Sequence, residues 1–255
     1  MSARMYLEHL RRIKKISENT LRTYRSILRE FQAFEPVSRS SWLRYLDHIS
    51  KNAPKTQKLK LQVVKGYLNW KRKSGMIGSI PFWQEASPPK DRSLPRYLTR
   101  QELKRFFKAI DDPYYRELFR FLVNTGLRLS EYQVLKESDL EWLEDKVRIR
   151  IRGKGNKERV VILSRSVVLP ALEAGIFSKK VSNRAIQKAM KRYLEKAGMD
   201  KEVSPHSLRH TFAIELIDRG VPLNKIQLIL GHENISTTSI YLSITGKNVE
   251  IPELI

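Results

Sequence analysis

The chain has 255 residues, 41% of them hydrophobic and 30% charged, which is enough apolar material for one large core or two modest ones. Lysine and arginine number 49 against 27 aspartate and glutamate, a formal net charge of +22. The lack of cysteine excludes disulfides and thiolate metal sites; the N-terminal MSARMYLEHLRRIKK has no apolar signal core, and no apolar run approaches the roughly 20 residues of a membrane span. A soluble, cytoplasmic protein is therefore expected, with no membrane partner. So large a positive excess repels itself in a compact fold unless an anion balances it. Nucleic acid is the commonest such partner, because neutralised phosphates release counterions. A merely basic protein is the competing reading.

Three helices are predicted before residue 80. Ser17 is placed to cap the first, in which Leu21, Tyr24, Leu28, Phe31 and Phe34 recur at helical spacing. A second fits Ser40 to Ser50 with Trp42, Leu43, Leu46 and Ile49 inward, and a third fits Pro54 to Lys73 with Leu59, Val63, Tyr67 and Leu68 inward. Residues 1–80 read as a helical bundle and hold 18 basic and 5 acidic residues, a net +13, against +9 for all the rest. Residues 81–97, with Pro81, Pro88, Pro89 and Pro95, read as a stiff linker to a second domain at 98–255.

The second domain opens with the capping-box pattern Thr99 to Glu102 ahead of Leu103, Phe106, Phe107 and Ile110. A helix through Tyr114–Asn124 should end near Gly126. Residues 146–152 alternate, with Val147, Ile149 and Ile151 opposite Arg148, Arg150 and Arg152. They predict a strand that turns through residues 153–157 into a second strand at 159–163. Helices follow at about 182–197, 207–219, 222–230 and 236–243. The fold class is mainly α with a small antiparallel β-hairpin in the second domain, an α+β arrangement.

Metal-free phosphodiester transfer needs a nucleophile, cations on the non-bridging oxygens, an acid for the leaving oxygen and exclusion of water. Arg128 stands at a helix start with Glu131 one turn on to orient it, a spacing that elsewhere marks an ordinary surface ion pair. Lys154 lies between two glycines at the expected hairpin tip, where a lysine is often just solvated. His206 and Arg209 share the first turn of a helix, whose dipole favours an anion. His232 follows the next helix, and Tyr241 stands nine residues beyond it. His206, His210 and His232 also suggest a metal site. The adjacent arginines oppose a cation and no acidic ligand lies beside the pair, so no metal is expected and His210 reads as a packing residue.

The segments TGLRLSE, IRGKGNKERVVIL, HSLRHTFA and LGHENISTTSIYL resemble, in order and spacing, the active-site boxes of the tyrosine recombinase (phage-integrase) family, nearest its compact Xer-like branch. The likeness spans about Leu98 to Leu242 and extends more weakly to the N-terminal bundle, which resembles the family's core-binding domain. It implies that Arg128 and Arg209 clamp the scissile phosphate, Lys154 protonates the departing 5′ oxygen, His206 is the catalytic histidine of the HxxR box and His232 hydrogen-bonds the phosphate. Tyr241 is then the nucleophile, with Glu131 a supporting acid. It further implies double-stranded DNA as substrate, no cofactor, and four protomers that exchange strands through a Holliday junction in integration, excision or dimer resolution. The apolar tail residues Val249, Ile251, Leu254 and Ile255 would then dock on a neighbouring protomer, or else pack on their own domain. A type IB-like topoisomerase and a non-catalytic DNA-binding protein on the same scaffold are the alternatives.

Overall fold

In the computed structural model, residues 2–78, 86–87, 95–153 and 158–231 are described. Most of the linker expected at 81–97, the helix expected at 236–243 and the C-terminal tail lie outside them. Two compact units, Met1–Ser93 and Leu94–Ile255, divide the chain.

The first unit is built from α1 (Ser2–Arg12), α2 (Glu18–Phe31), α3 (Arg39–Ser50) and α4 (Pro54–Lys73). Ser17 caps α2 by accepting from the Thr20 N–H, and Leu21, Leu28 and Phe31 are buried as their spacing requires. Helix α3 starts at Ser38, in a capping box with Ser41. Its inward stripe is Trp42, Tyr45 and Ile49, so Leu43, expected inside, is turned outward at 58% exposure. The same geometry corrects Leu59, which is exposed because α4 buries Leu61, Val64 and Leu68 on the neighbouring face. Helix α1 has no sequence signal beyond two core residues, Tyr6 and Leu10; it is held by the Tyr6 ring, 5.5 Å from those of Tyr67 and Trp70.

The second unit contains α5 (Arg100–Ala109), α6 (Pro113–Thr125), α7 (Leu129–Val134), β1 (Leu140–Trp142), β2 (Lys146–Arg152), β3 (Glu158–Ser164), α8 (Arg165–Glu173), α9 (Asn183–Lys196), α10 (Pro205–Asp218) and α11 (Leu223–Leu230). The strands form one antiparallel sheet in the order β1-β2-β3, with Ile149 opposite both Leu140 and Val161. Val147, Ile149 and Ile151 enter the core, which they share with Phe106, Phe119, Phe121, Tyr132, Tyr193 and Leu208. At about 1.5–3 kcal/mol for each large apolar side chain buried, this cluster holds the sheet against the helices. The third strand and α8 are additions to the predicted elements. Strand β1 is too short to show alternation, and α8 carries Pro170 inside it, which locally argues against a helix.

Candidate active site

Three turns of the backbone bring the candidate residues together. Helix α6 ends on Gly126 in the left-handed conformation, φ +62°, with its N–H on the Leu122 carbonyl. The chain then passes the buried Leu127 and reaches Arg128, which is the N-cap of α7 with extended backbone. The Arg128 N–H donates to Glu131 Oε2 at 2.9 Å, and its Nη1 donates to Glu131 Oε1 at 2.7 Å. One carboxylate thus satisfies an orphan helix amide and orients a guanidinium that remains 34% exposed.

Helix α10 begins at Pro205 behind a capping box between Ser204 and Ser207. This places His206 on the solvent side of the first turn and Arg209 on the inner side, 1% exposed. Arg209 Nη1 donates to the Gly126 carbonyl at 2.6 Å and Nη2 to the Leu230 carbonyl at 2.5 Å; its Nη1 lies 3.9 Å from Glu131 Oε2. His206 is pushed below the ordinary histidine value, first by desolvation among its neighbours and then by the positive charges of Arg209 and Arg128. Its ring meets that of His210 edge to face, with centroids 4.6 Å apart. Among the described residues no cluster of His, Asp and Glu is arranged to hold a metal ion.

The third turn is the end of α11, where Gly231 takes φ +64°. The last carbonyls of a helix lack intrahelical partners and carry the negative end of its dipole. Three successive ones accept from three different arginines: Ile229 from Arg159 Nε at 2.8 Å, Leu230 from Arg209, and Gly231 from Arg128 Nη2 at 3.3 Å.

Arg159 is the residue that sequence reasoning missed. It donates Nη1 to Glu131 Oε1 at 2.9 Å and Nη2 to Oε2 at 2.8 Å, a two-pronged pair on the same buried carboxylate. Its signal was present in β3. Arg159 shares strand parity with the inward Val161 and the half-buried Leu163, while Val160 and Ile162 are exposed. An arginine on the apolar side of a strand requires a buried acidic partner.

Burial alone raises the pKa of Glu131. The Arg159 hydrogen bonds, the Arg128 amide and the charge of Arg159 outweigh it, and hold the carboxyl at about 2. Of the sequence-expected site residues, Arg128, Glu131, His206 and Arg209 thus gather at one place. Lys154, His232 and Tyr241 lie outside the described residues.

Similarity to known proteins agrees with this arrangement of elements. The profile of the Phage integrase family matches residues 96–247, and that of its N-terminal SAM-like domain matches residues 3–105. The tyrosine recombinase XerA of Thermococcus kodakarensis is 35% identical over 91% of this chain and 87% of its own. The tyrosine recombinase XerC of Pelotomaculum thermopropionicum is 28% identical, over 96% of this chain and 94% of its own. Among solved structures, a λ integrase dimer bound to a COC′ core site superposes with a TM-score of 0.81 at 16% identity, covering all of this chain and 98% of that one. XerH bound to a palindromic difH substrate gives 0.79 at 21% identity over 96% and 82%. At those identities the two structures speak for the fold.

Proposed function

This chain belongs to the phage integrase family, and from that premise we propose that it is a site-specific DNA recombinase of the tyrosine type. The observation that carries the reading is the gathering of Arg128 and Arg209 at Glu131 from two separate helix starts, with His206 beside both arginine charges. A cationic recess of this kind suits a phosphodiester whose transition state gains negative charge. Guanidinium stays charged and pairs with phosphate oxygens through two donors, which an ammonium does not.

In this reading the Tyr241 hydroxyl attacks the scissile phosphorus and loses its proton. The bond from phosphorus to the 5′ oxygen breaks, and Lys154 protonates that oxygen as it leaves. The 3′-phosphotyrosine conserves the phosphodiester bond, so neither ATP nor a metal is needed for the return step. There a 5′-hydroxyl of the partner strand attacks the phosphotyrosine and releases Tyr241. Arg128 faces the phosphate from the exposed side and Arg209 supplies charge from the floor, while His206 and His232 bond the non-bridging oxygens. The helical first unit acts as the core-binding domain.

Among relatives of the same fold, a λ integrase tetramer has been solved on a Holliday junction; the same assembly on double-stranded DNA is proposed for this chain. Among the described residues no helix is long and apolar enough to cross a membrane, and the cytoplasm, where DNA is accessible, is the proposed compartment.

The test is covalent capture on nicked duplex DNA. The wild-type chain should leave a protein–DNA adduct that survives denaturant, and Tyr241→Phe should leave none. Lys154→Ala should slow cleavage by about 10²–10⁴-fold, the usual worth of general-acid help. It should recover on DNA whose bridging 5′ oxygen is replaced by sulfur, a leaving group that barely needs a proton, while Tyr241→Phe stays inactive. An adduct formed by Tyr241→Phe would refute the assignment of the nucleophile.

A further inference from the structure

The four-way contact at Glu131 carries a consequence for charge. Among the described residues, Arg128, Arg159 and Arg209 place three positive charges around one carboxylate. Arg159 is the partner that meets both carboxylate oxygens with its two Nη atoms, and at 11% exposure it is far less accessible than Arg128. With Arg159 in place Glu131 has a counter-charge of its own, and the more exposed Arg128 keeps its charge for a phosphodiester, which carries one negative charge at rest and approaches two in a pentacovalent transition state. Without Arg159 the carboxylate must take its main counter-charge from Arg128.

The same guanidinium also fixes position. Its Nε holds the Ile229 carbonyl at 2.8 Å, and Gly231 lies so close that a Cβ there would stand 3.2 Å from its Nη1. Arg159 therefore ties β3 both to the first turn of α7, through Glu131, and to the end of α11.

We propose that Arg159 is a positioning residue for strand cleavage, which neutralises Glu131 so that the charge of Arg128 stays available to the scissile phosphate. The proposal rests on the cleavage reaction given above. A simple structural staple accounts for a buried Arg–Glu pair but predicts no dependence on the charge of the substrate. Positioning does predict one.

The experiment uses the full chain and nicked duplexes carrying two inverted copies of the sequence that the wild-type chain selects from random DNA. The scissile phosphate is either native or a methylphosphonate, in which a neutral methyl group replaces one non-bridging oxygen. On the native diester, Arg159→Gln should lower single-turnover cleavage by about 10²-fold, the order expected for one lost transition-state donor, with DNA affinity little changed. Arg159→Lys, which keeps the charge and loses the fork, should fall less.

On the methylphosphonate, with less charge for Arg128 to balance, the Gln deficit should shrink to below about 10-fold. If Arg159→Gln does not fold, the same comparison is read on Arg159→Met, which removes the charge and keeps an unbranched side chain of similar length. Equal deficits on the two substrates, or wild-type rates on the native one, overturn the proposal while leaving the recombinase reading intact. Absence of any adduct with the wild-type chain on native DNA overturns both.

Discussion

A carboxylate that is 4% exposed and still ionised must have its charge answered nearby, and Glu131 is answered by Arg159 and by the amide and guanidinium of Arg128. Breaking such a pair by removing one partner costs about 3–5 kcal/mol, because the other charge is left buried. Glu131→Gln should therefore lower the Tm of the second unit by on the order of 10 °C at neutral pH. The sign of its pH dependence follows from the depressed pKa. Ionised Glu131 stabilises the fold above the ordinary value of 4.5, and that contribution is lost as the pH falls through about 2. Differential scanning calorimetry should show a constant gap between wild type and Glu131→Gln above pH 4.5 that closes toward pH 2. A gap independent of pH would mean that the carboxyl is not ionised in the folded protein.

At the scale of elements, the site is made where helices end. Gly126 stops α6 and Gly231 stops α11, both with positive φ, and the carbonyls they leave open receive Arg209 and Arg128. At Gly126 an added Cβ would also stand 2.4 Å from Phe212 Cδ1 and 2.9 Å from Leu230 Cδ2. Gly198 shares the backbone conformation, φ +64°, with nothing within 4 Å. Gly198→Ala should thus cost only the left-handed backbone strain, about 1–2 kcal/mol. Gly126→Ala adds overpacking worth about 1–3 kcal/mol and displaces the carbonyl that holds Arg209. Urea titrations should rank the two in that order, and cleavage should drop for Gly126→Ala beyond any loss of stability. Equal effects of the two substitutions would show that the Gly126 turn is not tightly packed against α10 and α11.

For the whole molecule, charge is unevenly spread and the pairing pattern sharpens it. Within residues 1–80, four of the five acidic side chains, Glu8, Glu18, Glu30 and Glu35, are already engaged by Arg12, Arg11, Lys60 and Lys71. The net +13 of that segment therefore lies on basic side chains with few acidic neighbours left to answer them. The unit Met1–Ser93 has its own buried core, centred on Phe31, Trp42, Tyr45, Tyr67 and Leu68. Expressed alone it should bind duplex DNA with a log–log salt slope of several units, roughly −0.9 for each phosphate neutralised. Fluorescence anisotropy between low and moderate salt measures the slope. A flat response would remove this unit from the DNA contact.

Local pattern was enough for much of the molecule. Strict alternation placed Val147, Ile149 and Ile151 inside the sheet, and the spacing of Arg128 with Glu131 marked a helix start that orients a guanidinium. Such signals are legible because both partners lie within one turn or one strand. Leu43 and Leu59 were misplaced because a helix has room for more apolar residues than its neighbours can cover, and only packing selects the covered face. The arginine cluster required the folded chain for a similar reason. Its bonds join residues 28, 70, 83 and 103 positions apart, from Arg159 to Glu131 and Ile229, Arg209 to Gly126, and Arg128 to Gly231. The likeness of the four boxes, rather than residue type, pointed to Arg128 and Arg209 as phosphate ligands. That Arg159 shares the carboxylate of Glu131, and which helix-end carbonyls hold the arginines, was decided where α6, α7, α10, α11 and β3 converge, since backbone carbonyls carry no mark in a sequence.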